Sequence, residues 1–196
     1  MIGRRAGAAE LAVLGLVTLM ASCRSAPTRL FTLEPIAGVS GIGRYSGPAL
    51  RIDAVHIPPS LDRIAITTDL TPGELRINEL DHWAAPPGQL VRQALTADLA
   101  MRLPEGRVIF PHLAKSRGAI GLNVDILAFS ADAQGARLEA SWIMTSDDSN
   151  PGSGGRTASL EDVTPTAGAA ATARAWSTML ARLADRIAGD LTAGAQ

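Results

Sequence analysis

One cysteine, one lysine and one tyrosine are all that this chain of 196 residues holds of those three types. A single thiol excludes an internal disulfide framework and any CxxC-type metal site. Lys115 stands against 17 arginines, scattered along the chain, and the net charge is −1. No clustered cationic stripe of the kind that neutralises nucleic-acid phosphates is legible, so nucleic acid is not an expected partner. Histidine is scarce too: His56, His82 and His112 lie 26 and 30 residues apart, without the convergent donors that zinc requires. Aromatics make up 4% of the chain, which leaves few large side chains as interface anchors. Nor is there an uninterrupted apolar run of ~20 residues, the length that crosses ~30 Å of hydrocarbon.

Catalytic patterns are missing as well. No GxSxG elbow surrounds a serine, and Ser60, Ser141 and Ser159 have no distinguishing neighbours. Asp147-Asp148 is followed by SNPGSGG, which lacks the alternating acidic residues of a calcium loop. The glycine-rich run GVSGIGRYSG, 38–47, has the wrong glycine spacing for a phosphate loop. The expectation is a protein that is not an enzyme and needs neither cofactor nor metal.

What the chain does have begins at its amino terminus. Arg4 and Arg5 precede the apolar run Leu11–Met20, and small residues Ala21 and Ser22 follow. These are the three parts of an export signal. The lone Cys23 sits at the end of that run. The stretch Leu19-Met20-Ala21-Ser22-Cys23 resembles the bacterial lipobox, departing from it at Met20 where leucine is usual. That resemblance implies a lipidated cysteine as first residue of the mature protein. One buried acyl chain, at ~0.8 kcal/mol per CH₂, holds a membrane weakly, and two or more hold it firmly. In lipoproteins of this kind Asp after the cysteine favours inner-membrane retention. Arg24 is not Asp, which implies the periplasmic face of the outer membrane. Without residues 1–22 the net charge becomes −2.

Residues 23–47 read as the lipidated cysteine and a flexible linker, with a short edge strand possible at Leu30–Leu33. A flexible coil from Arg24 to Gly47 would reach roughly 25–30 Å. Residues 48–192 read as one folded domain. Alternation predicts strands from Leu50 to Ile57, with Leu50, Ile52, Ala54 and His56 on one face, and at Ile64–Thr68 and Glu74–Asn78. Leu90, Val91, Ala94, Leu95, Leu99 and Leu103 then form one face of a helix that Pro104 stops. Strands follow at Val108–Phe110, Ala119–Ser130, Ala136–Thr145 and Arg156–Val163. In the second, Ile120, Leu122, Val124, Ile126 and Ala128 share a face. A final helix, about Thr166 to Leu191, carries the stripe Trp176, Leu180, Leu183, Ile187, Leu191. The order β-β-β-α-β-β-β-β-α indicates an α+β fold: one mixed or antiparallel sheet of about six to seven strands under two helices. Trp142 and Trp176 fall on inward stripes, whereas Trp83 falls in the loop before the first helix, either stapling its start or meeting a partner.

With these elements in place, the chain resembles the ABC-type transport auxiliary lipoproteins, the paraquat-inducible protein C-like (PqiC-like) group. The stretches that carry the likeness are Pro27–Leu33 (PTRLFTL), Ile57–Arg63 (IPPSLDR) and His82–Pro86 (HWAAP) leading into the helix Gln89–Leu103. Looser similarity continues through Gly121–Ile126 and Ala140–Trp142 to the alanine-rich last helix. Ser60, Ile64, Asp69 and Ala85 depart from the family pattern. The resemblance implies a non-catalytic lipoprotein of a mammalian-cell-entry (MCE) domain lipid transporter, docking its periplasmic MCE component and supporting membrane integrity. Leu61, Asp62, Arg63, His82 and Trp83 are the candidate interface, and self-association around an MCE tunnel fits without a fixed number. Two other readings stand beside it. One is a solitary periplasmic lipid or small-molecule binder, the other an envelope hydrolase for which no acid–base cluster offers itself.

Overall fold

The computed structural model describes residues 26–38, 45–71, 74–114, 116–146, 155–164 and 166–194. The apolar run at 11–20 and Cys23 lie outside the described residues, as does part of the 38–47 run. The elements are β1 (Arg29–Phe31), β2 (Leu50–His56), β3 (Ala65–Thr71), β4 (Glu74–Trp83), α1 (Pro87–Ala100), β5 (Val108–Ile109), β6 (Ile120–Asp132), β7 (Gly135–Thr145), β8 (Arg156–Asp162) and α2 (Ala169–Gly194). This is the expected α+β order, preceded by a short strand at the first apolar island. Among the described residues no helix is long and apolar enough to cross a membrane.

The strands form two sheets where one was expected. The larger has the order β5-β2-β6-β7-β8 and the smaller β1-β4-β3. Pro58 and Pro59 explain the split. Neither offers a backbone N–H, so the β2 ladder ends there and the chain turns away before β3 begins. In the larger sheet β2 runs parallel to β5 and β6, while β6, β7 and β8 form an antiparallel meander. Its tight β6–β7 connection is set by Asp132, whose Oδ1 accepts from the Gln134 and Gly135 amides at 2.6 and 3.2 Å. Gly135 has φ +143°, and a Cβ there would meet the Asp162 carbonyl.

Bulges correct two of the expected strand faces. The β2–β6 register shifts between Ile52 and Ala54, and the β6–β7 register shifts between Ile126 and Ala128. An extra residue reverses the alternation beyond it. Val55 and Ile57, rather than Ala54 and His56, therefore pack against the core, and His56 is exposed. In β6, Phe129 and Ala131 are buried while Ala128 faces solvent.

Both helices lie against one face of the larger sheet. Leu90, Val91, Leu95 and Leu99 of α1 and Trp176, Leu180, Leu183 and Ile187 of α2 meet Leu122, Val124, Leu138, Ala140 and Trp142 in one core. Phe129 stacks on Trp176 with ring centroids 4.0 Å apart. Each fully buried Leu or Ile contributes roughly 1.5–3 kcal/mol of hydrophobic stabilisation. The opposite sheet face carries Asn123, Asp125, Arg137 and Glu139 together with the exposed Leu127 and Ile143.

Candidate functional site

The segment Ile57–Arg63 folds as a tight turn after the proline pair. The Pro58 carbonyl accepts from the Leu61 and Asp62 amides at 2.9 and 3.0 Å, and the Leu61 carbonyl from Arg63 at 2.9 Å. Leu61 points inward and is half-buried against the core, while Asp62 and Arg63 are exposed. Among the described residues, Asp62 and Arg63 have no ion-pair partner, so the turn rests on its backbone bonds.

The end of β4 lies beside this turn. Trp83 is the last residue of that strand rather than part of a loop. β4 runs past its expected end at Asn78 because β1 pairs with it in parallel, Arg29 to Asp81, Leu30 to His82 and Phe31 to Trp83. The Trp83 amide donates to the Ile64 carbonyl at 2.7 Å, and the Ala84 amide to Phe31 at 2.7 Å. Trp83 is 7% exposed and belongs to the core; His82, its neighbour, is half-buried. Leu61 and Trp83 are thus brought together. With Leu33, Thr67, Pro87, Val91 and Trp176 they line a cleft of about 10 Å³, room for a single water. Asp62 and Arg63 stand on the outer side of the same turn.

β1 is fixed by a two-pronged ion pair. Arg29 Nε and Nη2 donate to Asp81 Oδ1 and Oδ2 at 2.6 and 2.7 Å, and the guanidinium lies 5.6 Å from the Phe31 ring centroid. The hydrogen bonds to Asp81, and then its charge, raise the Arg29 pKa.

The segment after β1 is seated too, although residues 23–47 read as linker in the sequence. Leu33 is buried in the core. The Glu34 amide donates to Ser177 Oγ at 3.0 Å, and the Ile36 amide to Asp98 Oδ1 at 2.7 Å. Arg102 Nη1 returns a bond to the Ile36 carbonyl at 3.0 Å. Arg102 also reaches Asp185 Oδ1 through Nε at 2.6 Å and the Asp98 carbonyl through Nη1 at 2.8 Å. Gly38 lies so close that a Cβ there would stand 2.7 Å from Arg102 Nε. Residues 32–38 form a strap across α1 and α2, clamped by a buried polar trio.

In that trio the Asp98 side chain is fully enclosed, the Arg102 side chain is 1% exposed and the Asp185 side chain 37%. Asp98 Oδ2 has no hydrogen-bond partner. Burial is the main reason its pKa rises to about 6; the Ile36 amide and Arg102 oppose the rise, and Asp185 adds to it. Sequence reasoning passed over these residues, although a signal was present. Asp98 falls on the inward stripe of α1 among Val91, Ala94, Leu95 and Leu99, and Arg102, four residues on, continues it just past the helix end. A charged pair in an apolar stripe is buried only if partnered.

With the geometry in place, the comparisons with known proteins assign the family. A family model described as the ABC-type transport auxiliary lipoprotein component matches residues 31–188. No curated protein matches the chain by sequence. Among solved structures, protein XCC0632 from Xanthomonas campestris, described as a DUF330 protein, superposes with a TM-score of 0.65 at 16% identity. The match covers 83% of this chain and 93% of that one. A crystal structure described only as an uncharacterized protein gives a TM-score of 0.62 at 16% identity, covering 83% of this chain and 98% of that one. At such identity these two neighbours speak to fold alone, and the fold is shared. The family match spans β1 to the last turns of α2, and by it this chain belongs to the ABC-type transport auxiliary lipoprotein components.

Proposed function

We propose that this chain is the outer-membrane-anchored auxiliary subunit of an MCE-type ABC lipid transport system, docking the transporter's periplasmic MCE component and so supporting envelope integrity. Family membership over residues 31–188 is the observation that carries this reading, and the lipobox-like Cys23 just upstream accords with it. The mechanism is positional and requires no chemistry of its own. Acyl chains at Cys23 fix one end, and the body binds the transporter. Arg29 lies six positions after Cys23, so β1 stands within ~20 Å of an acylated cysteine, since extended chain spans at most ~3.3–3.6 Å per residue. Asp62 and Arg63, exposed on a turn held by Pro58, are the residues best placed for partner contact, with His82 at its flank; Leu61 and Trp83 support the turn from below.

The test is co-purification of the full chain with its cognate MCE-domain protein, together with photo-crosslinking from positions 62 and 63. Retention of the partner and crosslinks at those positions support the reading. Failure to associate at high concentration of both proteins overturns it. Metabolic labelling with a radioactive fatty acid, lost in Cys23→Ala, checks the anchor separately. The solitary-binder alternative requires lipid to copurify with the chain. The cleft beside Leu61 and Trp83, at about 10 Å³, does not admit an acyl chain; such a lipid would have to lie in the open groove of about 540 Å³ beside Leu30, Phe31 and Ile36.

A further inference from the structure

The strap across α1 and α2 is held by an arrangement whose charges do not balance. When all three groups are ionised, Asp98, Asp185 and Arg102 carry two negative charges and one positive in a largely water-excluded site. One added proton makes the trio neutral. Asp98 is the group that takes it. Its side chain is fully enclosed and Oδ2 has no partner, whereas Asp185 is partly exposed and holds Arg102 Nε at 2.6 Å. The charged groups facing Asp98 are Arg102 from the turn just after its own helix and Asp185 from α2; the strap presents the Ile36 amide.

Part of the cover over Asp98 is the strap itself, through Ile36. Lifting the strap lets water reach the carboxylate, which weakens the burial that favours its proton, and also removes the Ile36 hydrogen bond, which favours the charged form; of these two causes burial is the larger. A closed state that binds a proton more tightly than the open state is favoured by acid and disfavoured as pH rises. β1 adjoins the strap in the chain, and opening it as well breaks the Arg29–Asp81 pair and uncovers Leu33.

We propose that residues 29–38 are a proton-linked latch: β1 and the strap stay seated while the Asp98–Arg102–Asp185 trio holds its extra proton, and open more often when that proton is lost. Opening removes the attachment at Arg29; taken to the buried Tyr45 instead, the longest possible span from Cys23 grows from ~20 Å to ~75 Å. This consequence for reach rests on Cys23 being the anchor. The latch itself does not.

Hydrogen exchange read by mass spectrometry on the full chain in detergent tests it. After correction for intrinsic rates, peptides covering 29–38 should exchange about 10-fold faster at pH 7.5 than at pH 5, because about one unit of the rise of Asp98 from 3.8 to about 6 falls between those two pH values. Peptides from β6 and β7 should keep the same protection at both. Asp98→Asn should make strap exchange independent of pH, and Asp185→Asn should move the midpoint to lower pH by removing the second negative charge. Strap exchange that ignores pH in the unaltered chain overturns the latch. So does pH dependence that survives in Asp98→Asn, or strap and sheet losing protection together. If Asp98→Asn does not fold, an unmoved midpoint in Asp185→Asn decides against it. The readout is the same with or without acylation, so failure here leaves the anchoring reading standing.

Discussion

The five-stranded sheet with its two helices and the smaller sheet with its strap are held together by different forces. In the first, continuous apolar faces meet. Leu50, Leu122, Leu138, Leu180 and Leu183 are fully enclosed, and their burial does not depend on any one polar bond. In the second, Ile66, Trp83 and Leu33 join the core, but β1 and the strap around Leu33 are pinned by a few charged or hydrogen-bonded groups: Arg29 on Asp81, Ser177 on Glu34, Asp98 and Arg102 on Ile36. Hydrophobic contact is non-directional and spread over many atoms, so it gives a body that yields only as a whole. Pinning by polar groups concentrates stability in single residues and makes it respond to pH. The amino-terminal piece, which connects to Cys23, is the one fastened in the conditional way.

Substitutions can break that contrast, beginning with the largest expected effect. Arg102→Met leaves two carboxylates uncompensated and should cost about 3–5 kcal/mol in urea unfolding. Adding Asp98→Asn and Asp185→Asn to it should recover much of the loss, the non-additivity of a shared network. Leu183→Ala, deep in the larger core, should cost about 2–5 kcal/mol. In that variant the strap and sheet should lose protection in step, unlike the effect of the polar trio.

The remaining predictions sharpen the comparison. The Asp98 carboxyl has a folded pKa of about 6 against an ordinary 3.8. Its contribution to stability is therefore fully present below the ordinary value and is lost as pH rises through about 6. The difference in unfolding free energy between wild type and Asp98→Asn, measured from pH 4 to 7, should slope across that window and flatten above it. Gly38→Ala places a methyl group against the clamped Arg102 side chain. It should destabilise the chain by about 1 kcal/mol at most while speeding strap exchange; unchanged strap exchange would mean that Gly38 is not held there. Asp62→Ala with Arg63→Ala should alter stability by less than about 0.5 kcal/mol, as exposed substitutions usually do. It should nevertheless reduce capture of the MCE-domain partner. Equal capture would move the interface elsewhere.

The two regions also differ in how far the sequence reveals them. The helices of the larger body and its β6–β8 meander are written locally, as 3.6-residue and two-residue periods. The bulges after Ile52 and Ile126 escaped that reading, because an inserted residue shifts the phase without changing composition. Trp83 was misplaced for a related reason. Nothing in Glu79–Trp83 marks a strand until Arg29–Phe31, some 50 residues earlier, is laid beside it. The family likeness pointed to the 57–63 turn and to His82 and Trp83, and the structure does set that turn against the end of β4. It also separates the inward Leu61 and Trp83 from the outward Asp62 and Arg63.

The sequence by itself determined the α+β class, the order of elements and the apolar faces of both helices, because each depends on the spacing of neighbouring side chains along one element. The tertiary structure alone decided that the strands divide into two sheets and that residues 29–38 belong to the folded body. It alone made Asp98, Arg102 and Asp185 one electrostatic unit. Those features come from residues up to 143 positions apart in the chain, and no local period encodes a contact that exists only after the helices have packed side by side and excluded water.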